Sequence, residues 1–225
     1  MYYLILSALA LIVIVLAAKS SMLRNEVFNQ TNFCNIAANT NLSKPKPSFS
    51  LGRAQLAFWT VIIISSFIFV YISATPQGFI APFMDPVNLT LLGIAAGTTV
   101  VSKVIDNSQK DAPNDSVPQQ DYPSRGFFID IISDENGVSV HRLQNVIWTI
   151  VVGAIYIAYV AAKSKMPDDT VITSQLLILM GISSGAYLGL KTTENKASVS
   201  DPIAAAPIIP VAPQPAPNTV VPAQP

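Results

Sequence analysis

The chain has 225 residues, 51% of them hydrophobic and only 12% charged, with a formal net charge of zero. That charge density is low against the roughly 25% of a soluble domain and points to a membrane protein, while the zero net charge supplies no basic field for nucleic acid. Cys34 is the only cysteine and His141 the only histidine, so a disulfide framework is excluded, metal and Cys–His chemistry have almost no ligands, and no cofactor is expected.

Met1–Ala18 is a nearly unbroken apolar run that reaches about 27 Å as a helix, just enough to cross a bilayer. The rival reading is a secretory signal peptide. The absence of Lys or Arg ahead of the apolar part, the lack of a clean A-x-A site, and Lys19 and Arg24 just beyond favour a retained anchor over 1–19. Residues 20–49 are polar and asparagine-rich and read as a linker, stiffened by Lys44-Pro45-Lys46-Pro47.

Leu56–Ser73 and Pro86–Val101 are the second and third spans. Asp85 ahead of Pro86 is a helix start, because the carboxylate can accept from orphan amides and proline at the first helical position loses nothing. Residues 107–138 form a polar loop that includes a short surface helix, with Phe127, Phe128, Ile131 and Ile132 on one face and Asp130 and Asp134 on the other. Asn136-Gly137 should end it and Ser139 cap the next helix. Leu143–Ala162 and Val171–Leu190 are the fourth and fifth spans. The tail, 196–225, is rich in proline, including Pro207, Pro210 and Pro213, and is expected to stay extended and disordered.

Much of the chain is written twice. Ser50-Leu-Gly-Arg53-Ala-Gln55 leads to Trp59, and Ser139-Val-His-Arg142-Leu-Gln144 leads to Trp148. Each copy closes on a second apolar run, with Gly93 and Gly97 before Asp106 in one and Gly181, Gly185 and Gly189 before Glu194 in the other. The predicted fold is an all-α membrane protein of five spans: an N-terminal anchor and two parallel two-helix hairpins, 50–106 and 139–195. Of the Lys and Arg residues, only Lys163 and Lys165 fall on one side of such a chain. The positive-inside rule then puts the N-terminus outside and the long loops and tail in the cytoplasm.

Glycines four apart form a groove where another helix backbone can come close. Packing inside the monomer is the first reading, packing between subunits the second, and a pore-facing hinge the third. Arg53, Gln55 and Trp59, with Arg142, Gln144 and Trp148, are expected as interfacial anchors; alternatively Arg53–Asp106 and Arg142–Glu194 clasp each hairpin. Gln175, Asn145, Thr98, Thr99 and Ser183 suit bonds across helix contacts better than a polar path. No Asp, Glu, Lys or Arg lies in the middle of a span, which argues against coupled transport. No catalytic triad, phosphate-binding loop or calcium loop is recognisable, so no enzymatic activity is expected.

The duplicated Ser-x-x-Arg-x-Gln-x-x-x-Trp and Gly-Ile-x-x-Gly motifs, with Ser-Arg-Gly-Phe-x-x-Asp-x-x-Ser-Asp-x-x-Gly over 124–137, resemble those of a group of bacterial integral-membrane proteins without an assigned activity. The resemblance covers roughly 50–194 and implies a bacterial inner-membrane protein. Two functional classes remain: a membrane scaffold or accessory subunit, with the lipid bilayer, further copies and a cytoplasmic protein held by the proline tail as partners, or a small homo-oligomeric channel. A membrane-disrupting effector is a weaker third.

Overall fold

The computed structural model describes residues 1–40, 45–74, 85–110, 118–134 and 137–193. Among these the chain is mostly helical: α1 (Tyr2–Lys19), α2 (Gln30–Asn39), α3 (Leu51–Ala74), α4 (Pro86–Lys110), α5 (Phe127–Ile132), α6 (Val140–Lys163) and α7 (Ser174–Lys191). A two-residue antiparallel ribbon pairs β1 (Ser133–Asp134) with β2 (Gly137–Val138). Four helices, α1, α3, α4 and α6, are long and apolar enough to cross a membrane, which makes this a multi-pass chain. The expected fifth span, α7, is as long as α1 but is diluted by Ser174, Gln175, Ser183, Ser184 and three glycines, and falls short of the other four in apolarity.

The apolar runs mark the hydrocarbon-facing stretch, while the helices continue past it. α3 begins with the polar Arg53 and Gln55 turn, and α4 runs on to Lys110, because backbone hydrogen bonding does not stop where hydropathy does. Asp85 starts α4 as expected: its Oδ1 accepts from the Val87 amide at 3.0 Å. Ser139 occupies the N-cap position of α6 without a side-chain capping bond. Gly137, at φ 114, opens β2 in the left-handed region that disfavours other residues.

α3 packs against α4 and α6, and α7 closes the bundle against α4 and α6. α1 lies along α3 in the opposite direction, the Tyr2 hydroxyl 3.0 Å from Ser66 Oγ and its ring 5.2 Å from that of Phe69. Contacts advance together along α3 and α6, from Gln55 with Asn145 to Trp59 with Tyr156, so these helices are parallel. The same holds for α4 and α7, from Ser102 with Tyr187 to Gln109 with Lys191. Trp59, Leu91, Val152, Tyr156, Val160 and Ile172 are essentially fully buried and fill the centre. α1 leaves Leu4, Leu11, Ile14 and Val15 exposed, a surface suited to lipid.

Two glycines allow close helix approach. A Cβ on Gly52 would stand 3.2 Å from Thr99 Cα, and the Thr99 hydroxyl donates to the Gly52 carbonyl at 2.9 Å. A Cβ on Gly153 would stand 2.5 Å from Phe58 Cζ. Neither belongs to the repeated glycine motif.

Candidate interaction surface at the basic end

The ends of α1, α4 and α7 and the beginnings of α3 and α6 meet at one end of the bundle, bringing Arg24, Arg53, Lys103, Arg142 and Lys191 together. Segments expected as a linker and a loop fold over this end as a cap. Asn29 starts α2 by accepting from the Thr31 and Asn32 amides at 2.9 and 3.2 Å. The fully buried Asp121 accepts from the Phe28 and Asn29 amides at 2.7 and 2.9 Å, tying α2 to the later segment. Lys46 Nζ reaches the Ala18 carbonyl at the end of α1.

Asp130 is the second tie, and here the expected surface helix is corrected. It is buried rather than solvent-facing. Its carboxylate accepts from Ser124 Oγ at 2.6 Å, the Arg125 amide at 2.9 Å and the Phe49 amide at 3.0 Å. The Ser124 amide in turn donates to the Lys46 carbonyl at 2.8 Å. Arg24 donates to the Pro47 carbonyl and stacks 4.0 Å over the Phe49 ring, which meets Phe127 edge-on. Desolvation lowers the Arg24 pKa against the raising effect of Asp130. Of the expected apolar face, Ile131 is buried, whereas Phe128 is 73% exposed.

The expected Arg53–Asp106 clasp is not formed, and Glu194, the expected partner of Arg142, lies outside the described residues. Arg53 pairs with Glu26 at 3.2 Å and donates to the Arg24 carbonyl, and Lys103 takes the same Glu26 oxygen at 2.8 Å. Asp106 instead joins α4 to α7 through Lys191 at 2.9 Å and accepts from Gln120 Nε2 at 2.8 Å. Arg142 is no interfacial anchor: it is 4% exposed, with its guanidinium 5.3 Å from the Tyr187 ring centre. Glu194 and the tail prolines Pro207, Pro210 and Pro213 lie outside the described residues. The cleft between Glu26, Arg53, Lys103 and Asp106 has about 20 Å³ of space, room for a water and not for an organic ligand.

Two predictions arise here. Lys191→Met strands the mostly buried Asp106 carboxylate and should destabilise the protein by about 3 kcal/mol, near the low end for a broken buried pair because Gln120 remains. Adding Asp106→Asn should restore most of the loss in denaturant titrations. Glu26 is more exposed; its hydrogen bond to Lys103, and then Arg53, hold its pKa below the ordinary value. Its stabilisation is present above the ordinary glutamate range and lost as pH falls through the depressed value. After solvent screening, Glu26→Gln should therefore cost at most about 0.5 kcal/mol at neutral pH and nothing in 1 M salt.

Inside the bundle three of the predicted polar residues, Asn145, Ser183 and Thr99, serve helix contacts, whereas Thr98 does not. Gln55 Nε2 donates to Asn145 Oδ1 at 2.9 Å and Thr149 Oγ1 at 2.7 Å, joining α3 to α6. Gln144 reaches Ser183 at 3.4 Å, joining α6 to α7. Thr98 bonds back to the Ile94 carbonyl within α4. Trp59 is a core residue, and Trp148 packs partly buried against the same core. Sequence reading missed the Tyr156 hydroxyl, which donates to the buried Asn88 Oδ1 at 2.6 Å; the only cue was a tyrosine deep within an apolar run.

The chain matches no family model, no curated protein and no solved structure in comparisons with each. Its geometry alone carries the functional reading.

The repeated glycines supply the last part of that geometry. A Cβ on Gly93, Gly97, Gly181, Gly185 or Gly189 would meet nothing within 4 Å. The expected packing inside the monomer is therefore corrected: these positions face away from the bundle. Beside them Leu89, Val100 and Val104 on α4, and Ile178 and Ile182 on α7, are exposed by 56–62%.

Proposed function

We propose that this protein is a non-enzymatic membrane scaffold or accessory subunit that associates, with further copies or with other helices, through its glycine faces. The observation that carries the reading is the outward direction of all five repeated glycines. In lipid, small residues flanked by aliphatic ones favour close backbone approach, which replaces the hydrophobic drive that helices lack there. A centre filled by Trp59, Leu91, Val152 and Tyr156 supports a structural role over a conduit through the monomer.

The fuller arrangement is part of the proposal. α7 acts as the fifth span, supported by its parallel packing beside α4. The duplicated motifs make α3–α4 and α6–α7 two copies of one hairpin. The clustering of basic residues at the capped end supports a cytoplasmic cap in a bacterial inner membrane, with the N-terminus outside. The Pro207–Pro213 segment then offers a soluble protein an extended ligand.

The test is cysteine cross-linking of the full chain in vesicles, with Cys34 replaced by serine. Cysteine at Ile182 or Ala186, beside Gly185, should give cross-linked dimers, and cysteine at Leu11 of α1 should not. The reading fails if the glycine face cross-links no better than Leu11.

A further inference from the structure

α5 is turned the wrong way round for a segment in water. Its one charged residue, Asp130, is 7% exposed and faces inward onto the cap, while Phe128 is 73% and Ile129 47% exposed. The ribbon that follows repeats the pattern, with Ser133 buried and its partner Val138 exposed. In water an amphipathic segment buries its apolar side and exposes its charge, so contiguous exposed apolar surface marks a contact with something other than water. Asp130 accepts from three donors on the cap. Those bonds hold the carboxylate in and leave the apolar side chains out.

The position of α5 decides what lies over it. An apolar groove of about 230 Å³ runs between it and α3 and α6, with Phe127, Phe128 and Ile131 on one wall and Phe58 and Ile150 on the others. Phe58 is seven residues from the start of α3 and Ile150 ten from the start of α6, about 10 and 15 Å along those helices. α5 therefore lies beside two membrane-crossing helices, not beyond their ends. Val140 also opens a stripe that continues along α6 as Leu143, Ile147 and Ile150, three and four residues apart and all exposed. On a membrane-crossing helix such a stripe meets acyl chains. Across the groove from Ile150, Phe128 carries the same surface onto α5.

We propose that α5 is embedded in the leaflet at the basic end of the bundle, with Phe128 and Ile129 among acyl chains and the exposed Arg125 just ahead of them at the phosphates. The partner of this face is the lipid itself, met about 5–10 Å into the boundary between headgroups and chains. The cap is then a membrane-bound unit, tied together by Asp130 on the side away from lipid. This contact is separate from the glycine faces of α4 and α7.

The experiment uses the full chain in vesicles of phosphatidylethanolamine and phosphatidylglycerol, with Cys34→Ser and a nitroxide attached at Phe128→Cys. Collisions of the label with oxygen, which concentrates in hydrocarbon, are compared with those of a water-soluble nickel chelate. Thr31→Cys on α2 and Leu11→Cys on α1, both exposed, give the water and lipid references. The oxygen-to-chelate ratio at 128 should be several-fold above that at 31 and approach that at 11, and Ile129→Cys should repeat it. A ratio at both positions no higher than at 31 would place α5 in water, and labels shielded from both reagents would place protein against it; either result overturns the proposal.

Discussion

Gly153→Leu is expected to break the contact between α3 and α6. Even its Cβ would stand 2.5 and 2.7 Å from two atoms of the Phe58 ring, and the remaining carbons have nowhere to go but between the helices. Overpacking of this kind costs about 1–3 kcal/mol. Forcing α3 from α6 also removes the bonds from Gln55 to Asn145 and Thr149, and each buried group left unsatisfied adds about 1–3 kcal/mol. A total loss of roughly 3–5 kcal/mol should appear in denaturant titrations of the purified protein. Gly153→Ala should cost less, because the Phe58 ring can swing into the groove that it lines. Phe58→Ala should then relieve most of that smaller loss, a coupling that a double-mutant cycle measures.

Asp130→Ala is expected to release the cap while the bundle holds. Three donors lose a charged acceptor at once: the Ser124 hydroxyl and the Arg125 and Phe49 amides. Such bonds are each worth about 1.5–3 kcal/mol but are not additive in one network, so about 3–4 kcal/mol is a reasonable total. The loss should fall on the cap, because Asp130 joins segment 45–50 to 123–127 and touches no membrane-crossing helix through these bonds. Limited proteolysis should cut the variant rapidly near Phe49 and Arg125, with helical circular dichroism nearly unchanged. Global unfolding instead would mean that cap and bundle are one cooperative unit.

The contrast between these two sites marks what the sequence could and could not say. The apolar runs located α1, α3, α4 and α6, since twenty apolar residues in a row have few other uses. Asn145 was legible as a contact residue, because a polar side chain near an apolar run needs a partner, whereas Gln55 was expected as an interfacial anchor. The partner was not legible: Gln55 is distant in sequence, and only the parallel packing of α3 and α6 brings it within 2.9 Å.

Asp130 was misread for a related reason. A short amphipathic pattern separates polar from apolar faces, but it cannot reveal a segment such as 45–50 lying over the polar face. The same applies to Asp121 and to α2, hidden in an asparagine-rich stretch whose Asn29 cap is a weak local signal. Glycine spacing was the most ambiguous cue. It identifies a groove without naming the neighbour, so the motif glycines face outward while the solitary Gly153, which carries no motif, makes the tight internal contact.

The outward glycines also make the central claim separable from folding. Because an added Cβ meets nothing at Gly97 or Gly185, leucine there should leave the monomer intact and block only what packs against it. The decisive measurement is the mass of the complex extracted directly into lipid nanodiscs, for the wild type and for Gly97→Leu with Gly185→Leu. The account predicts a wild-type assembly larger than one chain, and a variant that is monomeric with the same helical content and unfolding midpoint. A wild type that is a lone monomer, or a variant that assembles as well as the wild type, would contradict it.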